Sequence, residues 1–218
     1  MNQIPDFWKT SLEDIENVLN NIAKGKKGLL GYSAGKRHIY FVEYGEKQDM
    51  HRIANYCSAL AAGNSTYYAK KDDNIKPVIL LVGAEHGGEM EGIAAILNLI
   101  NVIETGKDFR GRRWDYINDN WRNFRLVLIP CMNPDGRSRV PFNSMAGKTL
   151  ETMRYYMQGT WKDGSLCGWP DCKKVHPIID HVQFLGAYFN DDGVNILADN
   201  VFSPMANETK ILMELVDR

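Results

Sequence analysis

Two rhythms of apolar residues run along the chain. Residues 11–25, "SLEDIENVLNNIAKG", put Leu12, Ile15, Val18, Leu19 and Ile22 on one face at helical spacing, with Ser11 placed to cap and Gly25 to stop. "HIYFVEYG" (38–45) alternates like a strand, and "MHRIANYCSALAAG" (50–63) returns to a helical pattern ended by Gly63. Residues 64–76 are polar and read as a connector. "VILLVGA" (78–84) does not alternate, which predicts a strand covered on both faces. A helix, "EGIAAILNLINVIETG" (91–106), follows it, and then a second covered strand, "FRLVLIPCMNPDG" (124–136), runs into a Pro-Asp-Gly turn.

Beyond that turn the pattern loosens. "KTLETMRYYMQG" (148–159) suits a helix, residues 160–180 are irregular, "HVQFLGAYF" (181–189) is strand-like, and "NETKILMELVDR" (207–218) is helical. Strands alternating with helices predict an α/β fold of three α/β/α layers around a mostly parallel, mixed sheet. No repeat or low-complexity tract divides the chain, so residues 1–218 are expected to form one domain with a helical lead-in over about 1–28. The last helix shows no capping glycine, and its pattern is still helical where the sequence stops.

Composition narrows the class of function. A net charge of -1 gives no field favouring nucleic acid or an anionic membrane, and "FRGRRWD" (109–115), the one basic cluster, reads as a solvated loop. No apolar run approaches the roughly 18 residues of a membrane span. The first residues lack a secretory pattern, and Cys57, Cys131, Cys167 and Cys172 are too few and scattered for a disulfide framework, so a cytoplasmic setting is expected.

The chemistry concentrates in "AEHGGEMEG" (84–92), at the carboxyl end of the first covered strand, where open α/β sheets gather ligands. His86 and Glu89 are three residues apart at a helix start, so imidazole and carboxylate can converge on one point. Both are standard zinc donors, and three protein ligands plus an open position make a catalytic site. Gly87 and Gly88 are expected to let the backbone approach the metal and turn sharply. Read blandly, the glutamates only complement a helix N-terminus and His86 is a surface histidine.

Taken together, "VILLVGAEHGGEMEG" and "IPCMNPDGR" resemble the carboxypeptidase A-like zinc metallopeptidases. "GYSAGKRHIYFVEYG" upstream, and "DDGVN" and "NETKILMELV" downstream, extend the likeness over about residues 31–218. The resemblance implies zinc-dependent hydrolysis of peptide or amide bonds, with His86 and Glu89 as metal ligands. It implies an arginine after the Asn-Pro-Asp-Gly turn that polarises the scissile carbonyl: Arg139 first, Arg137 as the alternative, with Arg154 further on as a substrate-binding candidate. A guanidinium suits that role because it stays charged and offers several donors. The third zinc ligand, a histidine, and the general-base glutamate are expected beyond Arg218, so these residues resemble the N-terminal part of a catalytic domain, inactive alone.

Two departures bear on substrate. Where the family's Asn-Arg clamp for a C-terminal carboxylate would stand, in "GVNILADNVF", the chain has Leu197 and Ala198. The acidic residues Asp191, Asp192 and Asp199 suggest instead a cationic or amine-bearing substrate. Cys167, Cys172, His176 and His181, spaced C-x4-C-x3-H-x4-H, are all zinc-type residues, but the spacing departs from finger patterns and reads as a packed insertion. Two other functions stay open: a small-molecule amide deacylase of the desuccinylase or aspartoacylase type, and a non-catalytic binding protein with a degenerate site. The expected partner is a peptide or small amide, with no nucleic acid and no membrane. Oligomeric state is not legible.

Overall fold

The computed structural model describes residues 4–69, 72–199 and 205–217, without the side chains of Cys172 and Lys174. In chain order its elements are α1 (Leu12–Leu19), β1 (Lys26–Tyr32), β2 (His38–Tyr44), α2 (Tyr56–Ala61), β3 (Val78–Val82), α3 (Met90–Thr105), α4 (Asp115–Asn120) and β4 (Arg125–Ile129). There follow α5 (Pro134–Ser138), α6 (Leu150–Gln158), β5 (Gly159–Trp161), β6 (Val182–Leu185) and α7 (Asn207–Val216).

The main sheet has the order β1-β2-β4-β3. β1 pairs antiparallel with β2, β2 antiparallel with β4, and β3 parallel with β4. The sheet is therefore mixed, and its parallel component is the β3–β4 pair whose carboxyl ends carry the site. Alternate residues feed opposite faces, as the pleat requires. Val42, Tyr44, Leu126 and Leu128 pack under α1 and α3, while Ile39, Phe41, Ile129 and Val82 meet Ile211, Leu212 and Leu215 of α7. Helices thus cover both faces, giving the three layers that the alternating pattern predicts.

Local chemistry fixes the element ends. Ser11 and Asp14 form a reciprocal capping box on α1. α3 buries Ile93, Ile96, Leu97, Ile100 and Ile103 at helical spacing, and Gly106, at φ 84°, closes it in the left-handed conformation. The predicted helix over 50–63 shrinks to α2, because Asn55 caps at Ser58 N and His51 adopts φ 49°. The Pro-Asp-Gly turn is one short helical turn, α5, with Asn133 capping Gly136 N at 2.8 Å. β4 is covered on both faces as expected, whereas β3 is an edge strand among the described residues, with Val78 and Leu81 exposed.

β5 and β6 form a separate antiparallel ribbon. Its continuation folds back on the site: Ala187 donates to Tyr156 O and accepts from Gly87 N, both at 2.8 Å. Glu208, fully buried at the start of α7, ties that helix to the β1–β2 turn and the 190s loop. It accepts from Ala34 N at 2.8 Å and Asn190 Nδ2 at 3.0 Å. Burial pushes its pKa up, against the opposing pull of those hydrogen bonds. No helix among the described residues is long and apolar enough to cross a membrane.

Candidate metal centre

The chain leaves β3 through Gly83 and Ala84, which are stitched to the end of β4. Gly83 N donates to Ile129 O, Met132 N to Gly83 O, and Asn133 N to Ala84 O, each at 2.8–2.9 Å. That stitching sets the next four residues against α5. A Cβ on Gly87 would lie 2.0 Å from Arg137 N, and one on Gly88 would lie 2.1 Å from Met157 Sδ. The glycine pair is therefore required by protein packing behind the loop, a different reason from the metal approach expected of it.

Here His86 and Glu89 meet. His86 Nδ1 lies 2.8 Å from Glu89 Oε1, and His86 Nε2 lies 3.1 Å from Asn195 Oδ1. Asn195 Oδ1 also accepts from Leu197 N at 3.2 Å, which fixes the amide orientation and makes Nε2 a donor. Tyr188 closes the other side, its ring centroid 4.5 Å from the imidazole's. The His86 side chain is 11% exposed and that of Glu89 57%, so a buried base faces a carboxylate open to solvent. Burial alone would depress the His86 pKa. The hydrogen bond and charge of Glu89, helped by Asn195 and Glu85, outweigh it and raise the pKa above its ordinary value.

The donor set suits zinc in kind and placement. An imidazole nitrogen and a carboxylate oxygen 2.8 Å apart on one side of a loop can share an ion bonded at about 2.0–2.2 Å to each. Such an ion would displace the proton that now lies between them. The pair is two donors, and among the described residues no group of three His, Cys, Asp or Glu converges. The third ligand expected beyond Arg218 lies outside the described residues.

Next to the pair stands an ion network centred on the carboxylate of the Pro-Asp-Gly turn. Asp135, fully buried, accepts from Ser33 Oγ at 2.6 Å, Arg37 Nη1 at 2.8 Å, Gly35 N at 2.9 Å and Asp191 N at 3.0 Å. Asp191 bridges Arg37 Nη1 at 2.7 Å and Arg139 Nη1 at 2.5 Å. Burial would raise the Asp191 pKa, but the two guanidinium groups lower it below the carboxylate norm. Asn195, which orients His86, sits four residues along the same loop.

The arginines differ sharply. Arg137 is buried, with Nε on Thr10 O, Nη1 on Val140 O, and Nη2 on Phe142 O and Asn143 Oδ1. Its backbone, not its guanidinium, touches the His86 loop. Arg139 holds Asp191 and the carbonyls of Phe189 and Gly186, leaving Nε buried and without a partner among the described residues. Arg154 is exposed on α6. Asp192 is exposed, and Asp199 accepts from Ala206 N at 2.8 Å, before α7. Leu197 is 63% exposed. In the cysteine–histidine segment, Cys167 is buried against Val175 and Phe189, and burial pushes its thiol up to about 11. His176 pairs with Asp192 O at 3.1 Å, and the Cys172 side chain lies outside the described residues.

Sequence reasoning missed Asn195, Tyr188 and Arg37. The available signal for Asn195 was its place at the end of "DDGVN", where an amide stands in a segment resembling the family's G-V-D stretch.

The zinc carboxypeptidase family model, Peptidase_M14, matches residues 15–163, more than half of the chain. The chain belongs to the zinc carboxypeptidase family. The matched stretch includes His86, Glu89 and the Asn133–Gly136 turn. Among solved structures, a metallo-carboxypeptidase from Burkholderia cenocepacia is similar at 13% identity and TM-score 0.51, over 94% of this chain and 37% of that one. A carboxypeptidase A from Helicoverpa armigera matches at 16% identity and TM-score 0.47, over 99% of this chain and 45% of that one. The first likeness supports the fold, and the chain spans less than half the length of either protein. No curated protein matches.

Proposed function

We propose that the chain contributes the first two metal ligands, His86 and Glu89, to a zinc-dependent hydrolase of peptide or amide bonds. One observation carries the reading: His86 Nδ1 and Glu89 Oε1 face each other at 2.8 Å beyond the carboxyl end of β3, with His86 Nε2 anchored on Asn195. A zinc ion held by His86 and Glu89 would supply Lewis acidity toward a scissile carbonyl and lower the pKa of a bound water. Asn195 and Tyr188 hold the imidazole plane, and the solvent-open Glu89 gives access. Because the chain spans 37% and 45% of the matched structures, the activity of a whole enzyme is itself part of the proposal.

The arginine assignment narrows to the first choice within this reading. Arg137 is spent on backbone carbonyls, so an oxyanion contact would fall to Arg139, released from Asp191 or using its unpaired Nε. With Leu197 and Ala198 at the clamp position, the enzyme should not require a free C-terminal carboxylate. A cationic substrate group would meet Asp192, since Asp191 is neutralised by two arginines. The test is zinc stoichiometry together with chelator-sensitive hydrolysis of one peptide bearing a free or an amidated C-terminus. Comparable hydrolysis of both, lost in His86→Ala, supports the reading. A strong preference for the free acid would overturn the specificity claim.

A non-catalytic binding role is the second reading, favoured by the prior engagement of both arginines. Stoichiometric zinc without any chelator-sensitive hydrolysis would select it.

A further inference from the structure

A cleft of about 230 Å³ opens on the α1 side of the sheet, apart from the His86–Glu89 pair. Leu12 and Ile15 of α1 and Pro130 after β4 give it apolar walls, while Arg37, His38 and Glu16 bring charge and polarity. We propose that this cleft binds a small monocarboxylate carrying a short aliphatic tail, with Arg37 as its anchor. The inference is independent of the zinc reading.

The anchor is built in advance. Arg37 Nη1 donates to Asp135 Oδ1 at 2.8 Å and to Asp191 Oδ2 at 2.7 Å, which fixes the guanidinium plane from one side. Its other edge, Nε and Nη2, has no hydrogen-bond partner among the described residues. Those two parallel N–H groups match the two oxygens of a carboxylate. Asp135 and Asp191 balance Arg37 and Arg139 in charge, so the network by itself neither demands nor repels an anion. His38, its Nδ1 held by Tyr40 Oη at 2.9 Å, is the second polar group on that wall.

Size and lining select the rest of the ligand. The volume falls below the roughly 300–1,000 Å³ of drug-sized sites, which suits a small metabolite. Leu12, Ile15 and Pro130 offer nothing to a bare inorganic anion. A hydrocarbon tail gains from the apolar wall. A short branched fatty acid and a free aliphatic amino acid share this chemistry, and Glu16 would favour the ammonium group of the second.

The experiment is a titration of the full chain, followed by calorimetry and by amide chemical shifts, with 4-methylpentanoate, L-leucine, 4-methylpentanamide and acetate. Saturable binding of a tailed carboxylate is expected, with shifts centred on α1 and residues 37–40, and at least about tenfold weaker binding of the amide and of acetate. L-Leucine binding tighter than 4-methylpentanoate, with the difference removed by Glu16→Gln, identifies an amino acid; the reverse order identifies a fatty acid. Arg37→Lys keeps a charge for Asp135 and Asp191 but loses the two-donor edge, and should weaken binding about tenfold or more. If that variant fails to fold, Leu12→Trp, which fills the cleft from its rim, decides in its place by abolishing binding. Amide binding equal to acid, no saturation by either carboxylate at millimolar concentration, or unchanged binding in Leu12→Trp overturns the proposal.

Discussion

Asp135→Asn removes one charge and changes one atom's hydrogen-bonding sense at the centre of the network. In the native side chain Oδ1 serves Ser33 Oγ and Arg37 Nη1, while Oδ2 serves Gly35 N and Asp191 N. Asparagine keeps one acceptor oxygen. If its amide takes the Oδ2 position, it points N–H groups at two backbone N–H donors. If it takes the Oδ1 position, it faces the Arg37 guanidinium, and only Ser33 can turn to accept. Either way about two donors lose their partner at a carboxylate that is itself fully buried. At about 1–3 kcal/mol for each orphaned group the cost is about 2–6 kcal/mol, a large part of the roughly 5–15 kcal/mol that holds a domain together. For a chain of this size that lowers Tm by on the order of 10 °C. Urea unfolding followed by circular dichroism measures it. A loss below about 1 kcal/mol would refute the reasoning, because it would mean that water or rearrangement satisfies those donors at little cost.

Glu104→Gln should cost about 1.5–3 kcal/mol, since Glu104 accepts from Ala23 N, Lys24 N, Gly25 N and Tyr44 Oη and so locks the α1–β1 loop to the end of α3; an unchanged urea midpoint would contradict this. Acid should destabilise the fold through Glu104 and Asp191, whose folded pKa values lie below their ordinary 4.5 and 3.8. Depressed carboxylates contribute stability that is present above the unfolded pKa and lost as pH falls through the folded one, so stability should decline below about pH 5. Glu104→Gln should flatten that decline, and an identical pH slope in the variant would contradict the assignment. Asn195→Asp should raise zinc affinity about tenfold, because a carboxylate on Nε2 makes His86 a more basic ligand. Competition with a chromophoric chelator reads it, and an unchanged affinity would show that Asn195 does not act through His86.

Periodicity and caps are local signals, and they carried far. Ser11, Gly106 and the isoleucine spacing of α3 set element ends and buried faces by short-range physics, and "HGGE" after an apolar strand pointed to the loop where His86 and Glu89 meet. No strand was read over 26–32, where Gly28 and Gly31 interrupt the apolar pattern of β1. They are glycine because the Phe41 ring and Ile211 lie where their side chains would stand, 2.4 and 2.9 Å from an added Cβ. Over residues 50–55 the helical rhythm lost to a side-chain cap at Asn55. The roles of Arg37, Asp135 and Asp191 depend on contacts about 50–150 residues apart, which no local pattern encodes. The same holds for Arg137, which sequence placed beside the chemistry and the fold spends on Thr10.

The claim at the centre of the account is that His86 and Glu89 share one ion. Anomalous diffraction at the zinc absorption edge, from crystals of the chain soaked in zinc, tests it most directly. The account predicts a peak about 2.0–2.2 Å from both His86 Nδ1 and a Glu89 carboxylate oxygen, absent from crystals of His86→Ala. A zinc peak confined to Cys167, His176 or His181, or saturating zinc that leaves the His86–Glu89 hydrogen bond intact, would contradict it.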